Sequence, residues 1–237
     1  RGASGARRDG RDLTREWRRK FAGQFVHDRA GFEAIDPARS THLLGLFERS
    51  HMEYEVARAR DAGGEPSLAE MTAKAIDILA RNPRGYFLMV EGGRIDHGHH
   101  AGNAYRALTD TIALSEAVRA ALAQVDLRDT LVIVTADHSH VFTMAGYPSR
   151  GNNILGLVRD VPNKDGEALA NSTDSNGLPY TTLGYHNGPG VRVGGRPDLT
   201  SVDTTNLNFL QEAVIPLGSE THAGEDVAIY ARGPKAS

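Results

Sequence analysis

Residues 85–100 read GYFLMVEGGRIDHGHH, an apolar run of strand length that passes directly into a cluster of carboxylate and imidazole side chains. A continuous apolar run bounded by turn residues is typical of a strand buried on both faces of a parallel sheet. In open parallel α/β sheets, ligands bind beyond the carboxyl ends of the strands. The stretch therefore predicts a buried strand over residues 85–90 and a binding site directly after it.

The residues on either side of this stretch predict the surrounding helices and strands. A helix is expected over about residues 104–124, with its apolar side chains on or near one face, and a second buried strand follows over 130–135. Upstream, Ser67 and Glu70 have the spacing of a capping box, which predicts a helix ending near Asn82. A further strand is predicted over 227–231. Strand, helix and strand in this order predict a right-handed β-α-β unit with the helix packed on the sheet.

Three clusters of potential metal ligands lie beside the predicted strands. An isolated Asp-His pair in a loop is more often a hydrogen-bonded turn, but burying many carboxylates and imidazoles together is costly without cations. The chain has no cysteine, so any metal must be bound by Asp, Glu and His, which suits catalytic zinc, magnesium or manganese. The first cluster holds Glu91, Asp96, His97, His99 and His100, the second holds Asp137, His138 and His140, and the third contains His222.

The motifs VEGGRIDHGHH at 90–100, TADHSH at 135–140 and THAGEDV at 221–227 resemble, in order and spacing, the C-terminal metal motifs of the alkaline phosphatase family. The resemblance runs along nearly the whole chain and is nearest to the branch that contains the animal enzymes. It implies an α/β sandwich around a mainly parallel sheet with helices on both faces. Residues 1–237 would then form a single partial domain, with a Gly-rich, crown-like insertion over 146–221.

The resemblance also implies a role for each cluster. Asp96, His100 and His222 would bind one zinc, Asp137 and His138 a second zinc, and Glu91 would fall on a magnesium site. Three N/O ligands with an open position are typical of a catalytic zinc. His97, His99 and His140 either hold ligands in place through their second ring nitrogen or are ordinary surface histidines. Glu48 and Glu65 match an additional calcium site of the animal members.

The activity implied by the resemblance is hydrolysis of phosphate monoesters through a serine-phosphate intermediate at a two-zinc, one-magnesium centre. The family's serine nucleophile and phosphate-binding arginine have no counterpart here, because Asp174 and Ser175 lie in a turn sequence within the insertion. We therefore expect an incomplete domain that is inactive by itself. Two alternatives stay open: a non-catalytic metal-binding fragment, and a phosphodiesterase or phosphoglycerate mutase of the wider superfamily, against which the THAGED motif argues.

Composition excludes other function classes. A formal net charge of -3 with 24% charged residues gives no basic field for nucleic acid, and the apolar runs are far shorter than the roughly 20 residues of a membrane span. Residues 1–20 are rich in Arg, but Leu13, Trp17 and Phe21 recur at four-residue spacing, which predicts a solvated amphipathic helix. By resemblance, the full-length protein is expected to be a homodimer in the periplasm or outside the cell, with or without a membrane anchor.

Overall fold

The structure is a computed structural model that describes residues 7–161 and 169–236. Its helices are α1 (Leu13–Phe21), α2 (Arg29–Glu33), α3 (Glu55–Arg58), α4 (Leu68–Leu79), α5 (Arg94–His100) and α6 (Ala104–Gln124). Its strands are β1 (Gln24–Val26), β2 (Leu43–Gly45), β3 (Val132–Val134), β4 (Ser139–His140), β5 (Phe142–Met144), β6 (Leu183–Gly188), β7 (Ala213–Pro216), β8 (His222–Ala223) and β9 (Tyr230–Arg232).

Helices α4 and α6 begin at residues whose side chains cap them. Ser67 Oγ accepts a hydrogen bond from Glu70 N at 3.2 Å, and the Glu70 carboxylate accepts one from Ser67 N at 2.7 Å. This confirms the predicted capping box, which satisfies two backbone N–H groups at the helix start. At the start of α6, Asn103 Oδ1 accepts from Arg106 N at 2.9 Å. Both helices thus begin where local hydrogen bonding favours them.

Helix α6 packs against both α4 and α5 through small side chains. Ala104, Ala107, Ala113 and Ala117 are all buried along its length. A Cβ atom at Gly98 of α5 would lie 2.7 Å from Ala107 N, so only glycine allows the two helices to approach this closely. The contact sets the position of α5, which carries most of the first cluster of predicted metal ligands.

The strands form four small sheets. β1 pairs with β2 and β6 with β7 in parallel, whereas β3 pairs with β9, β4 with β8 and β5 with β6 in antiparallel fashion. The α/β class is confirmed, but the predicted β-α-β unit is not formed within the described residues, because β3 pairs with the antiparallel strand β9.

The strand predicted over residues 85–90 is not formed. These residues have no regular secondary structure, and Phe87 and Met89 are 88% and 74% exposed. A buried strand needs hydrogen-bonded neighbours, and no ladder joins this segment to another strand within the described ranges. The strand predicted over 130–135 is present as β3, although Ile133 is 57% exposed and its partner is the antiparallel strand β9.

The main apolar cluster lies between α2, the β1–β2 pair and α4, and it contains buried Val26, Phe32, Ile35 and Phe47 with Leu43, Met52 and Met71 packed against them. It does not include the predicted metal ligands. No helix in the described part of the chain combines the length and apolar character that a membrane span requires.

The described part of the predicted crown-like insertion, residues 146–161 and 169–221, consists of turns, isolated bridges and strands β6 and β7. Residues 162–168 of the insertion lie outside the described residues. Arg196 ties the segment together, because it forms ion pairs with Asp174 at 2.6 Å and with Glu212 at 2.7 Å. Leu183 and Leu199 are each 1% exposed, so the segment has buried apolar side chains of its own.

Candidate metal centre

Helix α5 presents two predicted ligands on one face. Asp96 and His100 are four residues apart, a spacing that places their side chains side by side on a helix. His100 Nε2 lies 3.2 Å from Asp96 Oδ1. Both side chains are about one-third exposed, so solvent and small ions reach them.

The antiparallel pairing of β4 with β8 joins the second cluster to the third. Its register places His140 directly opposite His222. Asn187 fixes Thr221, the residue before β8, through two hydrogen bonds. Its Oδ1 accepts from Thr221 N at 3.0 Å, and its Nδ2 donates to Thr221 Oγ1 at 2.9 Å. The two clusters, separated by about 80 residues in sequence, therefore meet at the same place beside α5.

Asp96 Oδ1 is the atom on which the imidazoles converge. It lies 3.1 Å from Nε2 of His140 and 3.2 Å from Nε2 of both His100 and His222. Nε2 of His138 is 3.9 Å away, and the Nε2 atoms of His100 and His222 are 3.1 Å apart. Unprotonated imidazole nitrogens and a carboxylate oxygen repel one another at such distances unless a proton or a metal cation lies among them. The geometry is compatible with a bound cation.

Among the described residues, two overlapping groups could hold a metal ion. Each residue in a group offers one ligand atom, and those atoms lie within 4.8 Å of one another. Nitrogen and oxygen donors are of the kind that zinc accepts, and the partial exposure of His222 and Asp96 leaves a route for a water. The first group is Asp96, His138, His140 and His222, and the second is His100, His140 and Glu220.

His99 packs, partly buried, behind His140. The two rings stack with centroids 4.5 Å apart, and His99 Nδ1 lies 2.9 Å from the hydroxyl of Tyr185. Burial, followed by the neighbouring His140, lowers the pKa of His99 to about 4, so the ring is neutral near pH 7. Burial also raises the pKa of Tyr185, which keeps its hydroxyl protonated. His99 is therefore a packed ring that contacts His140 and is hydrogen-bonded to Tyr185.

His97 contacts His51 instead of the cluster around Asp96. The two ring centroids are 4.1 Å apart. Burial, and then the charges of His51 and Arg94, lower the pKa of His97. His97 Nδ1 is buried without a hydrogen-bond partner, and His97 belongs to neither metal-binding group.

Glu65, expected at a calcium site from the resemblance, is a buried carboxylate. The residue is 1% exposed, its Oε2 accepts from Glu53 N at 2.9 Å, and its Oε1 is buried without a hydrogen-bond partner. Burial, with the negative charges of Asp61, Glu48 and Glu53 nearby, raises the pKa of Glu65. A buried carboxylate oxygen without a donor is costly, and a hard cation such as calcium would satisfy it.

Known proteins are similar to this chain along nearly its whole length. The family model described as "Alkaline phosphatase" matches residues 1–237. The chain belongs to the alkaline phosphatase family. It is 44% identical over 240 residues to the tissue-nonspecific alkaline phosphatase of Rattus norvegicus and 46% identical over 238 residues to that of Gallus gallus, covering 99% and 98% of this chain. An alkaline phosphatase of Gadus morhua is 41% identical over 238 residues, or 98% of this chain.

These relatives are considerably longer than the chain. The match covers 43% of the Rattus norvegicus and Gallus gallus alkaline phosphatases and 47% of the Gadus morhua enzyme, so the chain spans less than half of their length. A solved structure of a TAB5 alkaline phosphatase mutant with bound Mg has the same fold, with a TM-score of 0.56 and 21% identity. It aligns over 97% of this chain and 51% of its own.

Two residues expected as metal ligands from the alkaline phosphatase resemblance stand apart from the converging atoms. The Asp137 side chain is 87% exposed, and its Oδ2 lies 3.4 Å from His138 Nε2. Glu91 is exposed ahead of α5 and joins neither metal-binding group of the described chain. Among the described residues, His138 thus lies near Asp96, whereas the Asp137 side chain points into solvent and Glu91 lies outside the group around Asp96.

The sequence did not indicate a role for Glu220, although this residue directly precedes the third motif and lies only two residues before His222. Its carboxylate is fully buried, and Oε2 lies 2.8 Å from His140 Nδ1. Proximity to His222 is the only signal in the sequence, because Glu side chains are mostly exposed and nothing in the spacing shows that this one points inward.

Proposed function

We propose that this chain supplies the zinc-binding part of a phosphate monoester hydrolase of the alkaline phosphatase family. The observation that carries the proposal is the convergence of His100, His140 and His222 on Asp96 Oδ1, with Nε2 atoms 3.1–3.2 Å away. Such a set of nitrogen and oxygen donors matches the needs of a catalytic zinc.

In this proposal, Asp96, His100 and His222 bind one zinc, and Asp137 with His138 binds a second. Two divalent ions side by side stabilise the negative charge that develops on the attacking and leaving oxygens during phosphoryl transfer. The Nε2 atoms of His100, His140 and His222 surround Asp96 Oδ1, so a cation bound there has these donors within reach. Their partial exposure leaves room for the phosphate group.

The remaining assignments follow the resemblance to the alkaline phosphatase family. Glu91 contributes to a magnesium site, and Glu48 with Glu65 binds calcium, for which the unpartnered Glu65 Oε1 is the support. The serine nucleophile that forms the phosphoserine is supplied from outside the matched 43–47% of the relatives. Residues 146–221 act as the crown-like part of a single domain over 1–237, and the whole enzyme is a homodimer that acts in the periplasm or outside the cell.

Zinc titration tests the proposed centre directly. We expect zinc to bind the wild-type protein and to bind His222→Ala at least tenfold more weakly, because one of three ligands is lost. His186→Ala is the matched control, since His186 is an exposed histidine of β6. Binding should weaken as the pH falls below neutral, because protons compete with zinc for imidazole nitrogen. Equal zinc affinity in wild type and His222→Ala would exclude this centre.

A chimera tests the catalytic function. Residues 1–237 would replace the matching segment of the Rattus norvegicus relative, so that the rest of that enzyme provides the missing parts. We expect the chimera to hydrolyse a chromogenic phosphate monoester in preference to a diester, and the 237-residue chain alone to show no appreciable turnover. A folded, zinc-loaded chimera that prefers the diester would favour a phosphodiesterase instead.

A further inference from the structure

Helix α5 carries Asp96 and His100, yet its own sequence does little to hold it in place. It has seven residues, its N-cap Gly93 makes no side-chain hydrogen bond, and Gly98 is its one buried residue. A helix this short is unstable in water without packing against other elements. The position of α5, and of the two predicted ligands on it, therefore depends on contacts with its neighbours.

Two such contacts lie at different ends of α5. Toward its end, Gly98 approaches Ala107 of α6 closely, as described above. At its first residue, the guanidinium carbon of Arg94 lies 3.6 Å from the centroid of the Tyr54 ring. At this distance the planar cation is in contact with the face of the ring, where the negative side of the ring quadrupole attracts it. Arg94 Nε is buried without a hydrogen-bond partner among the described residues, so no hydrogen bond at that atom fixes the group.

Tyr54 is itself held by α6. The guanidinium carbon of Arg106 lies 4.9 Å from the centroid of the same ring, and Arg106 Nη2 donates to Asn208 Oδ1 at 3.2 Å. The next residue, Glu55, donates its N–H to the Asp110 carboxylate of α6 at 3.2 Å. The ring therefore lies at the start of α3, is anchored to α6, and contacts the first residue of α5.

We propose that Tyr54 is a positioning residue of the metal centre, where its ring holds Arg94 and keeps the first turn of α5 in place beside β8. The inference rests on the zinc centre proposed above and deepens it. Asp96 follows Arg94 by two residues, so a displaced first turn moves Asp96 relative to His222 of β8. Distances from ligands to a metal stay within about 0.2 Å of their ideal values, so a small displacement weakens binding.

The test compares two substitutions of Tyr54 in the 237-residue chain by zinc calorimetry. Tyr54→Phe keeps the aromatic face, and its zinc affinity should stay within about twofold of wild type. Tyr54→Leu keeps an apolar side chain but has no π system, and it should bind zinc about tenfold more weakly, the usual effect of losing a residue that supports a ligand. The two variants thus separate the ring face from apolar bulk.

Arg94→Lys shows whether Tyr54 acts through Arg94. The substitution keeps the positive charge beside the centre and removes the planar group, so we expect zinc affinity to fall severalfold. In the Arg94→Lys background, Tyr54→Leu should weaken zinc binding less than twofold further, because residues in one contact have non-additive effects. If Tyr54→Leu does not fold, Arg94→Lys alone decides: zinc affinity equal to that of wild type would overturn the proposal.

Hydrogen exchange of the metal-free chain provides a readout that does not depend on zinc. In Tyr54→Leu the backbone amides of α5 should exchange faster, because the helix opens locally more often. Ile76→Val is the matched control, since Ile76 is a buried residue of α4 and its truncation lowers global stability without changing the Tyr54 contact. It should leave the exchange of α5 and the zinc affinity at wild-type values.

Asp96→Asn separates the failure of the zinc centre from the failure of the Tyr54 proposal. Unchanged zinc affinity in Asp96→Asn would exclude the centre, and the role of Tyr54 in it would be excluded as well. If Asp96→Asn weakens zinc binding while folded Tyr54→Leu binds zinc as wild type does, the centre stands and the role of Tyr54 is overturned. Equal losses in Tyr54→Phe and Tyr54→Leu, or in Ile76→Val and Tyr54→Leu, would also overturn it, because the ring face would then not account for the effect.

Discussion

Asp110 should make the stability of this protein fall as the pH rises from about 4 to about 7. The residue lies on α6, is 8% exposed, and accepts hydrogen bonds from Glu55 N at 3.3 and 3.2 Å. Burial raises the pKa of Asp110 from 3.8 to about 6, against the opposing effects of the Glu55 N–H and of Arg94. The change that tests this is Asp110→Asn, which keeps an acceptor for Glu55 N and removes the charge.

The direction and the size of this change in stability follow from the raised pKa of Asp110. A carboxyl group whose pKa is higher in the folded state binds its proton more tightly there, so its contribution is complete below the unfolded value of 3.8 and is lost as the pH passes about 6. A difference of about 2 pH units corresponds to about 3 kcal/mol, at ~1.36 kcal/mol per unit. Relative to Asp110→Asn, wild type should therefore lose up to about 3 kcal/mol of unfolding free energy across this range.

The assay is urea unfolding of both proteins in a chelator, at a series of pH values from 4 to 8, with the difference in unfolding free energy plotted against pH. Asp198→Asn is the control, because hydrogen bonds from the Thr200 side chain and N–H lower the pKa of that exposed carboxyl. The difference in unfolding free energy between wild type and Asp198→Asn should fall as the pH falls, which is the opposite direction to Asp110, and only near the acid end of the series. A difference between wild type and Asp110→Asn that stays constant from pH 4 to 8 would refute the reasoning.

Two further predictions concern the packing and the metal centre. Gly190→Ala should destabilise the fold strongly, because its Cβ would lie 1.8 Å from Gln211 O, whereas Gly218→Ala, with open space at that position, should change the melting temperature little. Similar melting temperatures for both variants would contradict the packing around Gly190. In the chimera, Asp137→Asn or His138→Ala should remove most of the phosphatase turnover and about one zinc per chain, measured by metal analysis, since a zinc with two ligands from this chain would keep only one. Full turnover with unchanged zinc content would exclude the proposed second zinc site.

Helix positions followed from the sequence where short-range interactions decide them. Ser67 and Glu70 lie three residues apart, and the bonds they exchange depend only on the first turn of α4. Helix α6 likewise matches the prediction over 104–124, because its apolar residues repeat with the helical period. The stretch from Leu13 to Phe21 is also helical, as its four-residue spacing predicted.

The pairing of the strands could not be predicted from the sequence in the same way. Residues 85–90 have the composition of a buried strand, yet they lack a ladder within the described ranges, and β3 pairs with β9 nearly 100 residues later. A strand is stabilised by partners that are distant in sequence, so composition indicates that a segment can pair without indicating whether or with what it pairs.

The sequence alone determined the chemistry of the centre, because the absence of cysteine and the three clusters restrict any metal to Asp, Glu and His ligands. Only the tertiary structure decided which atoms meet. The register of β4 with β8 places His140 opposite His222, and the close contact between Gly98 and Ala107 brings Asp96 to both. The direction of a side chain depends on the packing of distant elements. The sequence therefore did not show that the Glu220 carboxylate points inward or that the Asp137 side chain is exposed to solvent.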